Sequence, residues 1–346
     1  MMRFNNAVGN PPYQKVLEKG SKNYMAPIYP DFMELAYTIA ARAVLITPAR
    51  FLFNAGATRK TWNRKMLNDK HLRVIHYEQD SAGVFGNTDI KGGVAVTYRD
   101  EGTIGDVIGF FTPFETLGDI VRKVDYNAGS LSDIIYSYSR YRFNEALHDE
   151  NPSARARLSD SGAYTLKSNT FDNLPDIFTT DAPAEPYIRV YGRTKASGRV
   201  YRYVKESYIK TSGNFKQWKI ASPVSNGGDG IGGKAISVIG KAVVVGPNTA
   251  HTQTFLSIGA FDSKKEADNC LKYAKTKFAR AMIATLKVTQ SNAKPTWKYV
   301  PLQDFTEQSD IDWTKTVYEI DKQLYEKYNL NEEEIAFIES KIKPMD

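Results

Sequence analysis

Residues 4–13 read Phe4-Asn5-Asn6-Ala7-Val8-Gly9-Asn10-Pro11-Pro12-Tyr13. The first six form a short strand candidate, and two prolines then fix φ and stiffen the corner that follows. Working outward, residues 31–43 set Phe32, Leu35, Ala36, Ile39, Ala40 and Ala43 on one helical stripe. Val44-Leu45-Ile46-Thr47-Pro48 reads as a buried strand stopped by its proline. Residues 57–68 read as a basic helix with Trp62 and Met66 four apart. Leu72-Arg73-Val74-Ile75-His76-Tyr77 and Gly93-Val94-Ala95-Val96-Thr97-Tyr98 read as further strands. Strand, helix, strand, helix, strand is the order of a wound α/β sheet.

The alternation ends after residue 100. A boundary is expected between 105 and 125, giving a domain over 1–115 and a second, α+β domain over 116–346. Residues 125–186 are polar and turn-rich. From 187 come aromatic and basic strands, then a Gly-rich loop, then one long helix over 264–287. Ser263 stands three before Glu266, a capping box, and Ala267, Leu271, Ala274, Phe278 and Met282 supply the apolar stripe. Trp313, Val317, Ile320 and Leu324 predict another helix, and Asn331 with Glu334 caps a last one. No internal repeat is present in the sequence.

The 346 residues suffice for about two domains. Hydrophobic residues at 42% and charged residues at 25% exclude wholesale disorder. One cysteine, Cys270, excludes an internal disulfide framework and any multi-cysteine zinc site. The histidines (His71, His76, His148, His251) are scattered, so no metal is expected. No run of ~18 apolar residues predicts a membrane span, and the N-terminus lacks a signal-peptide core. A reducing, cytoplasmic location is the expectation. Net charge is +7, and it is uneven. Residues 187–219 hold nine cations against Glu206 alone, whereas residues 300–346 hold 5 basic and 12 acidic residues.

The diproline corner carries the chemistry. Asn10 offers an amide oxygen, and the Pro11 carbonyl lies outside any helix. Together they can accept both hydrogens of a planar amino group. An exocyclic purine amine is a poor nucleophile because its lone pair is delocalised into the ring. Two fixed acceptors draw that nitrogen toward tetrahedral geometry and stabilise the positive charge developing on it. Pro12 stiffens the corner, and Tyr13 gives a flat face for a flipped base.

Asn10-Pro11-Pro12-Tyr13 resembles motif IV of the S-adenosylmethionine-dependent amino-methyltransferases, in the form associated with N6-adenine in DNA. Pro27-Ile28-Tyr29-Pro30-Asp31-Phe32 resembles motif V, which implies that Ile28 and Phe32 line the cofactor. Val44 to Phe51 resembles motif VI, and Phe85 to Val94 resembles motif VIII, which implies that Phe85 is a second stacking face. Four segments in family order imply a partial Rossmann-like methyltransferase sheet. Tyr187 to Arg193, His251 to Phe255, Leu286 to Gln290, Val300 to Phe305 and the C-terminal helices resemble the target-recognition half of bacterial restriction–modification adenine methylases. In these the order is cofactor motif, catalytic motif, recognition domain, the gamma-type order. Here nine residues precede Asn10, and no strand–glycine turn–helix unit stands upstream or at the C-terminus. The chain therefore resembles the C-terminal part of such an enzyme, with an incomplete S-adenosylmethionine site. An upstream methylase or nuclease portion on another chain is an expected partner, alongside double-stranded DNA; no membrane partner is expected.

The stretch 187–218 interleaves seven aromatics with its cations, a pattern suited to phosphates and bases. Arg189, Tyr191, Arg193, Arg199, Arg202, Lys205 and Lys210 are the DNA-contact candidates there. Thr252-Gln253 and Thr289-Gln290 are added because Gln can read adenine with two bonds, and Lys287 adjoins the second pair. Gly228-Asp229-Gly230-Ile231-Gly232-Gly233-Lys234-Ala235 mimics a nucleotide loop. Ala235 stands where a P-loop needs Ser or Thr, so a turn or a DNA-touching loop is expected. Three functions remain open from sequence. One is the catalytic-loop and recognition portion of a site-specific adenine-N6 DNA methyltransferase; another is a non-catalytic DNA-binding specificity module or truncated remnant; the third is a protein-glutamine or ribosomal-RNA methyltransferase.

Overall fold

The computed structural model describes residues 3–19, 22–86, 88–183, 186–211, 213–226, 235–287 and 290–345, with only the backbone described at 17–19 and 22–24. Thr289, and Gly228 to Lys234 of the glycine-rich loop, lie outside the described residues. The chain divides into an N-terminal unit, Met1–Gly118, and a C-terminal unit, Asp119–Asp346.

In chain order the N-terminal unit holds β1 (Phe4–Gly9), β2 (Gln14–Lys19), β3 (Lys22–Pro27), α1 (Tyr29–Ile39), β4 (Ala40–Pro48), α2 (Lys60–Leu67), β5 (Leu72–Glu78) and β6 (Val94–Asp100). A further helix, α3 (Glu115–Lys123), runs across the division. The unit is α/β, as the alternation predicts, but its sheet is mixed. Strand order is β1-β4-β6-β5, with β1 parallel to β4 and β6 antiparallel to both of its neighbours. Ala43, Leu45 and Thr47 point to the buried face, where α1 packs with Met33 and Ala36 inward. The opposite face is open at its edge: Val8 is 80% exposed.

The helix expected over 31–43 ends at Ile39, and Ala40 already has extended geometry (φ −131°, ψ 147°). Pairing of Ala40–Pro48 with strands on both sides outweighs the modest helix preference of its alanines. A second departure is the antiparallel β2–β3 hairpin, which the polar residues after Tyr13 do not signal. Behind it Tyr29, Phe51 and Trp62 form an aromatic cluster with centroids 5.3–6.3 Å apart. Each such pair contributes about 0.5–1.5 kcal/mol beyond its buried area.

The C-terminal unit continues with β7 (Ile135–Tyr136), β8 (Arg142–Phe143), α4 (Glu145–Glu150), α5 (Pro152–Arg157), α6 (Thr170–Asn173), β9 (Tyr187–Thr194), β10 (Gly198–Lys205), β11 (Ile209–Lys210), β12 (Trp218–Pro223), β13 (Val243–Val245), β14 (Thr249–His251) and β15 (Phe255–Phe261). Four helices close it: α7 (Lys264–Lys275), α8 (Lys277–Ala284), α9 (Val317–Lys327) and α10 (Glu332–Lys341). The strands make sheets β10-β9-β14, β13-β12-β15-β7 and β11-β8.

The single helix expected over 264–287 is two. Thr276 breaks it: its hydroxyl donates to the Tyr273 carbonyl and accepts from the Ala279 N–H. Asp321 accepts from the N–H groups of Lys277 and Phe278, both at 2.9 Å, and Arg280 donates back to the carbonyls of Lys275 and Thr276. The N–H groups of Lys277, Phe278 and Ala279, freed by the break, are thus taken up by polar side chains. Arg280 is consequently buried. Trp313 lies outside α9, because Thr316 and Glu319 form the capping box that starts it at Val317. The box at Asn331 and Glu334 starts α10 as expected, and Ser263 caps α7. Cys270 is buried. Among the described residues no cluster of His, Cys, Asp and Glu could hold a metal ion, and no helix is long and apolar enough to cross a membrane.

Candidate active site and nucleic-acid interface

Strand β1 ends at Gly9 and delivers Asn10 to solvent. Among the described residues neither the Asn10 side chain nor the Pro11 carbonyl is engaged in a hydrogen bond. The chain then closes through the β2–β3 hairpin, whose base is tied by the Ile28 N–H donating to the Tyr13 carbonyl at 3.1 Å. The hairpin thereby brings the motif IV and motif V segments side by side. Tyr13 is half-buried; its hydroxyl is enclosed without a hydrogen-bond partner among the described residues, and burial raises the phenol above its ordinary pKa.

The Phe85 ring meets the Tyr13 ring, with centroids 6.4 Å apart and planes inclined at 65°. A sandwich would need parallel rings with one ring thickness between them. The two rings instead meet edge to face. Phe85 is held by a loop organised around Ser81, a residue that the sequence reading did not single out. The Ser81 hydroxyl donates to the Thr88 carbonyl and accepts from the Ile90 N–H, and the Ser81 carbonyl accepts from the Phe85 N–H at 2.8 Å. Asp80 opens that turn by accepting from the Ala82 N–H, and Asp before Ser is the signal that could have found it. The loop closes on Gly93, at φ +74°, where a Cβ would stand 2.3 Å from the Glu78 carbonyl oxygen. Only glycine fits there.

Beside Tyr13 lies a cleft of about 260 Å³, lined among others by Tyr29, Pro48, Arg50, Asp89 and Lys91. It lies at the small end of the range of ligand pockets, about 300–1,000 Å³. Its cationic wall is partly neutralised: Lys91 pairs with Asp89 at 2.9 Å, and the Arg50 guanidinium donates to the Lys91 carbonyl. Ile28 is half-buried and Phe32 exposed. Both are apolar, and neither carries a group to bind a ribose or an amino-acid carboxylate. By themselves they do not make an S-adenosylmethionine site.

The nucleic-acid candidates of the C-terminal unit are sorted by the β9–β10 ribbon. Register sets Tyr191 opposite Tyr201, and Arg193 opposite Arg199. Tyr191 is buried, stacked on Phe255 at 4.6 Å. Arg189 donates to the Thr249 hydroxyl and lies 4.6 Å over the Tyr201 ring. Arg202 donates to the Tyr201 carbonyl, Arg199 to the Lys241 carbonyl, and Lys205 pairs with Glu150 at 2.8 Å. Thr252 and Lys287 are buried, Gln253 half-buried and Gln290 exposed. Tyr191, Thr252 and Lys287 therefore pack inside the unit and present no surface to a groove. Lys219, one of the nine cations, is also inside. Its ammonium donates to the carbonyls of Asn214, Phe215 and Gln217, and burial lowers its pKa to about 8. Arg193 and Lys210 stay exposed, with no side-chain partner among the described residues.

Residues 1–85 match the Eco57I restriction-modification methylase domain. A protein of Mycoplasma pneumoniae described as an uncharacterized adenine-specific methylase is 30% identical over 96 residues, 27% of this chain and 23% of that protein's length. The type IIG restriction endonuclease BpuSI aligns over 87% of this chain and 44% of its own, at 10% identity and a TM-score of 0.28, too low to carry an argument. The matched family segment contains the Asn10 corner.

Proposed function

We propose that the chain is the catalytic-loop and DNA-recognition portion of a site-specific adenine-N6 DNA methyltransferase of a restriction–modification system. One observation supports the reading: Asn10, exposed, and Pro11, half-buried, offer two acceptors without a hydrogen-bond partner among the described residues, at a diproline corner beside an aromatic pair. A flipped adenine places its amino group against the Asn10 amide oxygen and the Pro11 carbonyl, and its ring against Tyr13. Phe85 bounds the base at its edge. In this reading the two acceptors stabilise charge on the attacking nitrogen, and the proline-fixed backbone limits the reorganisation this needs. The methyl group comes from S-adenosylmethionine. The N-terminal unit is read as part of a Rossmann-like methyltransferase sheet, and the C-terminal unit as the target-recognition domain. A further methylase portion, on this or another polypeptide, is part of the proposal, since Ile28 and Phe32 give only apolar surface for the donor.

The test is genetic and chemical. Deleting the gene in its own host should remove an N6-methyladenine mark, and wild type should restore it. Asn10→Ala should fail to restore it while the purified variant still binds duplex DNA. Full restoration by Asn10→Ala would refute the role of the corner. The second reading, a non-catalytic specificity module, is favoured by the apolar character of Ile28 and Phe32. It predicts DNA binding with no mark that depends on the chain.

A further inference from the structure

Beyond the β9–β10 ribbon, the C-terminal unit has a broad polar groove of about 770 Å³, lined by Arg140, Arg142 and Lys210 together with Asn144, Glu145 and Tyr164. Two of the three cations are forced outward together. In the β8–β11 pair Phe143 faces Ile209 and both are buried, so by strand alternation the next pair, Arg142 opposite Lys210, must face away from the core. Like charges directly opposite each other on paired strands repel. None of Arg140, Arg142 and Lys210 makes an ion pair or a side-chain hydrogen bond among the described residues. Arg140 only lies 5.7 Å over the Tyr136 ring. The one acid lining the groove, Glu145, is occupied by the Tyr164 hydroxyl at 2.7 Å, and Arg155 sits 5.6 Å over that same ring.

Such an arrangement fits a ligand with closely repeated negative charge. We propose that this groove, rather than the ribbon face, is where the C-terminal unit takes the phosphodiester backbone of duplex DNA. The inference rests on the DNA-recognition reading above and adds Arg140 and Arg142 to it. The groove offers charge and hydroxyl donors from Ser137, Ser139 and Thr211, so it positions the duplex without reading sequence.

The experiment is fluorescence anisotropy of the full chain with a labelled duplex of mixed sequence, over roughly 50–200 mM salt. The variant Arg140→Gln/Arg142→Gln/Lys210→Gln should bind about tenfold more weakly, and its log K against log[salt] slope should be shallower by about 2–3, close to 0.9 per lost phosphate contact. Glu145→Gln keeps an acceptor for Tyr164 and removes the opposing charge, so it should bind several-fold more tightly. That gain cannot come from misfolding. Lys264→Gln/Lys265→Gln, on α7, should match wild type. If wild type binds duplex and the triple variant binds equally well with the same slope, the groove assignment falls and the recognition reading stands. If wild type binds no duplex at the lowest salt, both fall. Tighter binding of an RNA hairpin, with the same loss in the triple variant, would overturn the assignment to DNA.

Discussion

The Asn10–Tyr13 corner and the 187–219 stretch both look functional in sequence, and the structure treats them oppositely. At the corner two prolines fix the backbone, and a strand end delivers Asn10 to solvent, with no partner for it or the Pro11 carbonyl among the described residues. Along 187–219 the same polar and aromatic residues are divided by strand alternation and by packing against β14 and β15. Tyr191 stacks on Phe255, Lys219 is enclosed by carbonyls, and Lys205 is paired. Local stiffness made one motif readable, whereas net charge says nothing about which cations remain free.

The sharpest break in this contrast is Tyr191→Ala. As a core residue it should cost about 3–5 kcal/mol of stability, read by denaturant unfolding. A surface-like loss with weakened DNA binding would return Tyr191 to the interface. Next, Asn10→Ala should leave stability nearly unchanged and cost about 10²–10³ in methyl transfer by the completed enzyme, about 2.7–4 kcal/mol of transition-state energy. An unfolding midpoint that drops with the activity would make the corner structural.

A smaller effect concerns His251, beside the ribbon on β14. Its ring bonds the Thr252 carbonyl and the Ser257 hydroxyl, and burial lowers its pKa to about 4. The unfolded value is about 6.5, so the folded state binds fewer protons between pH 6.5 and 4. Stability supplied by the neutral ring is present above pH 6.5 and is lost as pH falls toward 4. His251→Gln should therefore cost about 1–3 kcal/mol near neutrality, a gap that closes on acidification. A pH-independent gap would contradict the buried neutral ring. Ser81→Ala removes the hydroxyl that holds the Phe85 loop and should cost about 1 kcal/mol, with a fall in methylation larger than the loss of stability explains. The least effect belongs to Arg193→Gln, within about 0.5 kcal/mol in unfolding, because that guanidinium has no side-chain partner among the described residues.

Much of the N-terminal unit was legible. The strands at Phe4–Gly9, Leu72–Glu78 and Val94–Asp100 and the helix Lys60–Leu67 follow from alternation and periodicity. The β2–β3 hairpin was not, since its apolar residues come as adjacent pairs, Val16-Leu17 and Tyr24-Met25, and not in the alternation that signals a strand. The break at Thr276 has one local cap, the Thr276 hydroxyl on the Ala279 N–H, but the other comes from Asp321, far along the chain, which no local pattern signals.

By itself the sequence determined the stiff acceptor corner and its family resemblance, because proline geometry and side-chain chemistry are local properties. Only the tertiary structure decided that Phe85 meets Tyr13 at an angle, that Tyr191, Lys219 and Lys287 turn inward, and that Arg142 and Lys210 stand together facing out. Burial and cross-strand pairing depend on which distant segments a residue is packed against, and no window of sequence contains both partners.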